Sequence, residues 1–387
     1  MNKLYKKIFI IAVIITGFIF LIGCNGETTN FIEPDFTKLN SEYKQYSLNA
    51  YRLIMGFSPD SGTIIAIKET ENLRNLVFID TDTANETVSI QLDKQWPLEQ
   101  KRVRWSKDGT SFILADAWSG PVEVKYGVKT PGYKFNIYSP TIVSYGDDFH
   151  EKPDYLVCSP SFDYTGESVI YSIYNNTAGY TVYASETGIN DMMLDRNKIG
   201  LASILQIKEN KFIETYEFTD SDVSKSTIDF IKGTDTVTLA KVTGMYRKLY
   251  IKDYSKDRKR ILYFETSLVT QGTNVVGEKI IPRIIEFDTD YEEHKIINIK
   301  LPDSYQVLNG VMSPNGRYAV FIVYKDESFI MLLYDINTSK FYELLKNQDI
   351  GATFIGSLPG RIDGLFISDD LKICLVTDKG VFIFRPA

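Results

Sequence analysis

Short apolar runs punctuated by polar turns fill the chain from about residue 51 onward. TIIAIK (63–68), FILA (112–115), VIYSIY (169–174), ILYFE (261–265), YAVFIVY (318–324) and KICLVT (372–377) are examples. They are rich in β-branched and aromatic residues, and Ser, Pro, Asp, Asn and Gly bound them. Runs of this length and composition predict strands, because such side chains suit a pleated, half-buried surface.

The turns recur. Ser58 opens SPDSGTIIAIK, Ser106 opens SKDGTSFILA, Ser161 opens SFDYTGESVIYSIY, Ser255 opens SKDRKRILYFE, Ser313 opens SPNGRYAVFIVY and Ser368 opens SDDLKICLVTD. Successive gaps are 48, 55, 94, 58 and 55 residues. The gap of 94 is twice 47, which predicts a further member near residue 208, where LQIKENKFIETYEF carries a turn-like KEN without Ser or Gly. A second landmark follows the same period: Asp80-Thr81-Asp82-Thr83, Asp288-Thr289-Asp290 and Asp335-Ile336-Asn337-Thr338. Asp and Asn there suit hairpin turns, since they bond their own backbone. Their repetition favours turn chemistry over calcium binding, and the EF-hand spacing with its terminal Glu is missing.

Each module therefore reads strand, S-x-D/N-G turn, strand, loop, strand, D-x-D/N-T turn, strand. One four-stranded meander cannot bury both faces, and meanders set radially about an axis solve this as a β-propeller. The expected fold is all-β, with seven four-stranded antiparallel blades; six and eight are the alternatives. The last module shows three clear strands, so YKQYSLNAYRLI near the start of residues 41–387 is expected to supply the fourth and close the ring. A pair of β-sandwiches is the rival fold, but it needs no period near 50.

Gly56-Phe57-Ser58-Pro59-Asp60 and Trp105-Ser106-Lys107-Asp108-Gly109 resemble the repeats of TolB-like, or WD40-like (PD40), propellers. The resemblance spans about residue 45 to 387 and implies architecture rather than activity. It implies that blade connections and the loops between second and third strands share one face, and that this face and the channel hold the function.

The N-terminus differs from everything after it. MNKLYKK is basic, residues 8–22 carry no charge, and Leu21-Ile22-Gly23-Cys24 resembles the lipobox of bacterial lipoproteins. An n-region followed by an apolar h-region reads as an export signal, with a transmembrane anchor as the alternative. The resemblance implies that residues 1–23 are removed and Cys24 takes a diacylglycerol anchor. Residues 24–40 then read as the lipidated Cys and a polar tether. The expected location is the extracytoplasmic side of the cell membrane, held by lipid. The whole chain carries 43 Lys and Arg against 50 Asp and Glu, a net charge of −7. That balance argues against a nucleic-acid partner. Export permits a disulfide, yet Cys158 and Cys374 lie in apolar strand patterns that suit buried thiols, in blades that are not neighbours.

Candidate chemistry is sparse. Two histidines, His150 and His294, leave little for metal or triad chemistry. No G-x-S-x-G elbow or Walker motif occurs. No catalytic residue, metal site or cofactor is assigned. Two connections stand out by length: residues 118–133 in blade 2 and 266–283 in blade 5. On the first, Trp118 is the binding candidate, with Lys125, Tyr126, Lys129 and Tyr133 as a rim. Asp147, Asp148 and His150 follow in the connection YGDDFHEKPDY. They read either as a carboxylate–imidazole site or as a solvated polar loop, with no recognised ligand spacing. The function expected is a non-catalytic binding or scaffold module for a protein or cell-envelope partner, in a monomer. The alternatives are a glycan- or peptide-acting enzyme with a carboxylate site in the channel, and a solute-sensing lipoprotein.

Overall fold

A computed structural model of the chain describes residues 41–46, 51–60, 62–71, 73–92, 101–106, 111–116, 132–136, 142–145, 155–175, 180–185, 198–199, 201–220, 223–244, 247–271, 274–326, 328–346, 362–377 and 380–386. No helix occurs among them.

Strand β1 (Ser41–Tyr46) comes first in the chain and belongs to the last sheet. Blade 1 is β2 (Tyr51–Phe57), β3 (Thr63–Glu69), β4 (Arg74–Asp80) and β5 (Glu86–Leu92). Blade 2 is β6 (Lys101–Trp105), β7 (Ser111–Asp116), β8 (Gly132–Asn136) and β9 (Ile142–Tyr145). Blade 3 is β10 (Tyr155–Phe162), β11 (Val169–Asn175), β12 (Tyr180–Ser185) and β13 (Lys198–Ile199). Blade 4 is β14 (Leu201–Lys208), β15 (Lys211–Asp220), β16 (Val223–Lys232) and β17 (Asp235–Thr243). Blade 5 is β18 (Arg247–Tyr254), β19 (Arg260–Gln271), β20 (Asn274–Phe287) and β21 (His294–Asn298). Blade 6 is β22 (Gln306–Met312), β23 (Tyr318–Lys325), β24 (Ser328–Asp335) and β25 (Lys340–Lys346). Blade 7 is β26 (Ile362–Ile367), β27 (Ile373–Thr377), β28 (Gly380–Pro386) and β1.

The described strands thus form seven antiparallel four-stranded sheets. The first strand of each sheet packs on the sheet before it, and β2 packs on β26. β1 pairs with β28 from Ser41↔Pro386 to Tyr46↔Val381, which joins the N-terminal strand to the last three. The chain is a β-propeller.

Burial explains the strand sequences. In β23, Val320 and Ile322 face the core shared with blade 7, while Ala319, Phe321 and Val323 face the core shared with blade 5. A strand buried on both faces reads as one apolar run rather than an alternation, which is why YAVFIVY lacks an internal charge. Each large side chain so buried contributes about 1.5–3 kcal/mol.

Every sheet has two ends. The turns joining first to second and third to fourth strands lie at one end, here called the turn face. The connections between second and third strands lie at the other, the arm face. The blade-5 segment expected as a long loop is instead strand. β19 and β20 stay paired from Arg260↔Glu286 to Gln271↔Asn274. The β-branched residues in TSLVTQ and NVVGEKII suit the continued ladder. Tyr133, expected on the blade-2 loop, is the second residue of β8 and pairs with Ser144.

Candidate functional site

The turn face is built from the repeated serines. Ser58, Ser255, Ser313 and Ser368 are all buried. Each Oγ accepts the backbone N–H that starts the second strand: Thr63, Arg260, Tyr318 and Lys372 at 2.9, 3.1, 3.0 and 3.0 Å. Each Oγ also donates to the residue two places on, namely Asp60, Asp257, Asn315 and Asp370. Only a hydroxyl serves both purposes in this space. The left-handed position is Gly316 at φ 73°, but Arg258 at 59° and Leu371 at 63° occupy it elsewhere.

Blade 3 corrects the sequence alignment. The residue opening its turn is Asp163, not Ser161. The Asp163 N–H donates to Ser168 O, as Ser58 does to Thr63 O and Ser313 to Tyr318 O. The Asp163 carboxylate collects the N–H groups of Gly166, Glu167 and Ser168, and Gly166 is left-handed at φ 87°. Ser161 lies in β10 and its Oγ donates to Ile204 O of blade 4. The gaps become 57 and 92, the latter still two modules, of 46 each.

Neighbouring turns bond to one another. The Lys256 N–H donates to Pro314 O at 2.7 Å and the Asp369 N–H to Pro59 O at 3.2 Å. The Asn315 N–H donates to Asp369 Oδ1 at 2.5 Å, and Lys256 Nζ pairs with Asp369 Oδ2 at 3.1 Å. Blade 4 breaks the pattern. Only Glu209 and Asn210 separate β14 from β15, so its turn is too short to join this collar. Arg258 of blade 5 crosses the gap. Its buried guanidinium donates to Gln206 O of blade 4 and to Phe162 O of blade 3. Burial lowers its pKa, while Tyr254, Asp163 and Tyr291 act the other way. Farther in, Asp253 Oδ2 accepts the Met312 N–H of blade 6 at 3.0 Å. These bonds join blade to blade at this end.

The aspartates of the second landmark also serve turns. Asp80 Oδ1 accepts the N–H groups of Asp82 and Thr83 and the Thr83 hydroxyl. Asp335 Oδ1 accepts Asn337 and Thr338. The Thr83 hydroxyl and N–H lead the causes that hold the Asp80 carboxyl below its ordinary range.

The arm face differs. β18 begins at Arg247, opposite Ser267, and β21 ends at Asn298, opposite Arg283. Beyond those points β19 and β20 continue as a two-stranded arm with no further described strand beside them. Gln306 Nε2 of blade 6 donates to Glu278 O at 3.1 Å, and Ile280 packs on the core shared with that blade. Pro282, which has no N–H, sits where the outer edge of β20 becomes open, a position suited to an edge. Val269 on the arm is 43% exposed.

At the base of the arm lies a charged group. Arg247 Nη2 meets Glu265 Oε1 at 2.5 Å, and Arg283 Nη2 meets Glu265 Oε2 at 3.0 Å. Glu265 is buried, whereas the Arg247 and Arg283 side chains are 45% and 33% exposed. Below them Tyr263 is buried, and burial raises its phenol pKa against the opposing effect of Arg283. On blade 6, Lys325 Nζ lies 4.6 Å from the Tyr305 ring centroid and donates to its hydroxyl at 3.3 Å.

Sequence reasoning missed Arg247, Glu265 and Arg283. For Glu265 and Arg283 the signal was a charge inside an apolar strand, in ILYFET and IIPRII; Arg247 had no such signal. Cys24, Trp118, Lys125, Tyr126, Lys129, Asp147, Asp148 and His150 lie outside the described residues. Of Tyr133 only the strand position is described. Cys374 is a buried free thiol in the core shared by blades 7 and 1. Among the described residues no three His, Cys, Asp or Glu side chains form a group suited to a metal.

No family model matches the chain. No curated protein matches it either. Solved structures do. An oligogalacturonate lyase in complex with manganese is 8% identical with a TM-score of 0.56, over 91% of this chain and 99% of that one. An acylaminoacyl peptidase in complex with Z-Gly-Gly-Phe-chloromethyl ketone is 10% identical with a TM-score of 0.51, over 88% of this chain and 52% of the peptidase. The acylaminoacyl peptidase of Pyrococcus horikoshii gives 10% identity and a TM-score of 0.50, over 86% of this chain and 50% of that one. At such identity the likeness is one of fold alone: this chain has the β-propeller architecture those proteins share.

Proposed function

We propose that this protein is a lipid-anchored, extracytoplasmic β-propeller whose arm face binds a protein or cell-envelope partner without catalysing a reaction. The observation that carries the reading is the contrast between its two faces. At the turn face the repeated serines and aspartates bond within their turns, and further hydrogen bonds join neighbouring turns and tie Arg258 to blades 3 and 4. At the arm face a two-stranded arm projects, with an exposed valine and two half-exposed guanidiniums at its base.

The direction of β1 supports the reading. Ser41 pairs with Pro386, at the end of the third strand of blade 7. The tether from Cys24 therefore enters β1 at the turn face. A lipid on Cys24 would hold that face toward the membrane and leave the arm face outward. The resemblance of Leu21-Ile22-Gly23-Cys24 to a lipobox motivates the anchor, and two acyl chains suffice for stable attachment.

Two experiments separate the parts of this reading. Labelling cells with a clickable palmitate should tag the wild-type protein and not Cys24→Ala; label on the variant refutes the anchor. Crosslinking the full chain in membranes should then capture a partner at the arm face. Turnover of an oligouronate or a peptide without any captured partner would favour the enzyme reading instead.

A further inference from the structure

We infer that the Arg247–Glu265–Arg283 group is a recognition site for a carboxylate of an acidic peptide segment lying along the blade-5 arm. This deepens the reading of the arm face as the binding face and needs no lipid anchor.

The register sets the site. Leu249 is opposite Glu265, Arg247 opposite Ser267, Glu265 opposite Ile281 and Ser267 opposite Lys279. Side chains two apart along a strand share a face. Arg247, Glu265, Ser267, Lys279 and Arg283 therefore stand on one face of blade 5. Leu249 and Tyr263 on that same face pack against blade 4, so the charged group sits directly above the core between blades 4 and 5. Lys248 reaches Glu217 of blade 4 at 3.1 Å beside it.

The charges on this face do not balance. One buried carboxylate is shared by two guanidiniums, and exposed Lys279 adds a third cation. The chain as a whole carries −7, so a local excess of cations runs against the average. Glu265 touches each guanidinium through a single Nη2. It fixes their positions, Arg283 also bonds the Tyr263 side chain beneath it, and the solvent-exposed part of each guanidinium, Arg247's above all, is left for a second acceptor. A guanidinium whose orientation is already fixed loses less freedom when it binds a carboxylate.

The surroundings favour a peptide over a saccharide. Val269 lies on this face, opposite Gly277, and offers an apolar contact. The stretch of β19 from Leu268 to Gln271 has β20 on one side and no described strand on the other. An extended peptide can add to such an edge through its backbone, with side chains chosen by what stands nearby. A saccharide site would call for an exposed aromatic platform, and the large hydrophobics exposed among the described residues are Leu73, Val237 and Val269.

The test uses the full chain in detergent and fluorescein-labelled tetrapeptides in fluorescence anisotropy. The probes are tetraglutamate amide, tetraglutamine amide and tetraglutamine with a free C-terminus. The first and third carry a side-chain and a terminal carboxylate respectively, so they distinguish the source of the carboxylate. Binding of either should weaken about tenfold or more in Arg247→Gln and Arg283→Gln, as loss of a charge-assisted pair requires. Arg→Lys at either position should restore it only in part, because lysine lacks the fork. Lys279→Glu touches none of the Glu265 contacts. It should weaken binding while leaving the unfolding midpoint unchanged, which a purely structural role for the cluster would not produce. The inference is overturned if neither carboxylate probe binds the wild type at low salt. It is equally overturned if tetraglutamine amide binds as well as they do, or if binding survives all three charge-removing variants.

Discussion

Replacing Arg258 with Met tests whether one side chain holds three blades together at the turn face. The wild-type guanidinium is 4% exposed and donates to Phe162 O and Gln206 O. Met keeps most of the bulk and removes both donors. A buried acceptor left unsatisfied costs about 1–3 kcal/mol, so two cost about 2–6. An opposing effect is smaller: burial disfavours the charged form of Arg258, and Met has no charge to desolvate. Removing one member of a buried polar set is nonetheless strongly destabilising, and the net expectation is a loss of about 2–4 kcal/mol. Urea unfolding should show a lower midpoint with an unchanged slope, because the surface exposed on unfolding stays the same. Arg258→Lys should recover about half, since an ammonium cannot span carbonyls on two blades as a guanidinium does. If Arg258→Met unfolds within about 0.5 kcal/mol of wild type at unchanged slope, the seam is held by packing and the reasoning is wrong.

Four further outcomes are expected. Gly316→Ala puts a Cβ 2.7 Å from Ser255 Cβ at φ +73°, and should cost about 2–4 kcal/mol in urea unfolding, whereas Gly62→Ala, whose Cβ meets nothing nearer than 3.5 Å, should be near neutral. Hydrogen bonds from Lys211 and Lys232 hold the Glu292 carboxyl at about 2; its contribution is present above the unfolded pKa of about 4.3 and is lost as pH falls from there toward 2, so Lys211→Met should flatten the acid limb of a melting-temperature profile. Burial pushes the Cys374 thiol up to about 12, so mass mapping should find it alkylated by iodoacetamide only after denaturant is added. Deleting residues 268–278 and closing Ser267 to Lys279 with Asn-Gly removes exposed Val269 and Glu278 and the Gln306 bond; it should shift stability by less than about 1 kcal/mol and weaken probe binding, since the edge is lost while Arg247, Glu265 and Arg283 remain.

The architecture was legible because its determinants are local and repeated. The turn serines are spelled out in sequence, and Ser58, Ser255, Ser313 and Ser368 do the same work in their own blades. The weak member near residue 208 was found from spacing alone and lies in β14 and β15. The alignment slipped by two residues in blade 3 because Asp163 can open a turn as a serine does, and Ser161 stood close by as a decoy. The blade-5 segment was read as a loop from its length, but the ladder continues to Gln271↔Asn274. The grouping of the two arginines around Glu265 could not be read. Arg247, Glu265 and Arg283 are far apart in sequence, and only the register of β18, β19 and β20 brings them to one face.

Departures from the repeat fall into two physical kinds. Some are answered within the fold. The short turn of blade 4 leaves a gap, and Arg258, at the left-handed position of the blade-5 turn, fills it with its guanidinium. Blade 7 lacks a fourth strand of its own, and β1 supplies it. Such departures carry their compensation in the same structure, so stability explains them. The arm of blade 5 is different in kind. It extends past the strands on either side, exposes Val269, and gathers cations at its base in an acidic protein. Its one tie to the neighbouring blade among the described hydrogen bonds is from Gln306 to a backbone carbonyl, which prescribes no residue type on the arm. Nothing in propeller architecture requires a strand pair to outrun its sheet, and an open ribbon edge is a liability for association. On the reading proposed above, that open edge and the cations at its base are what a partner would engage.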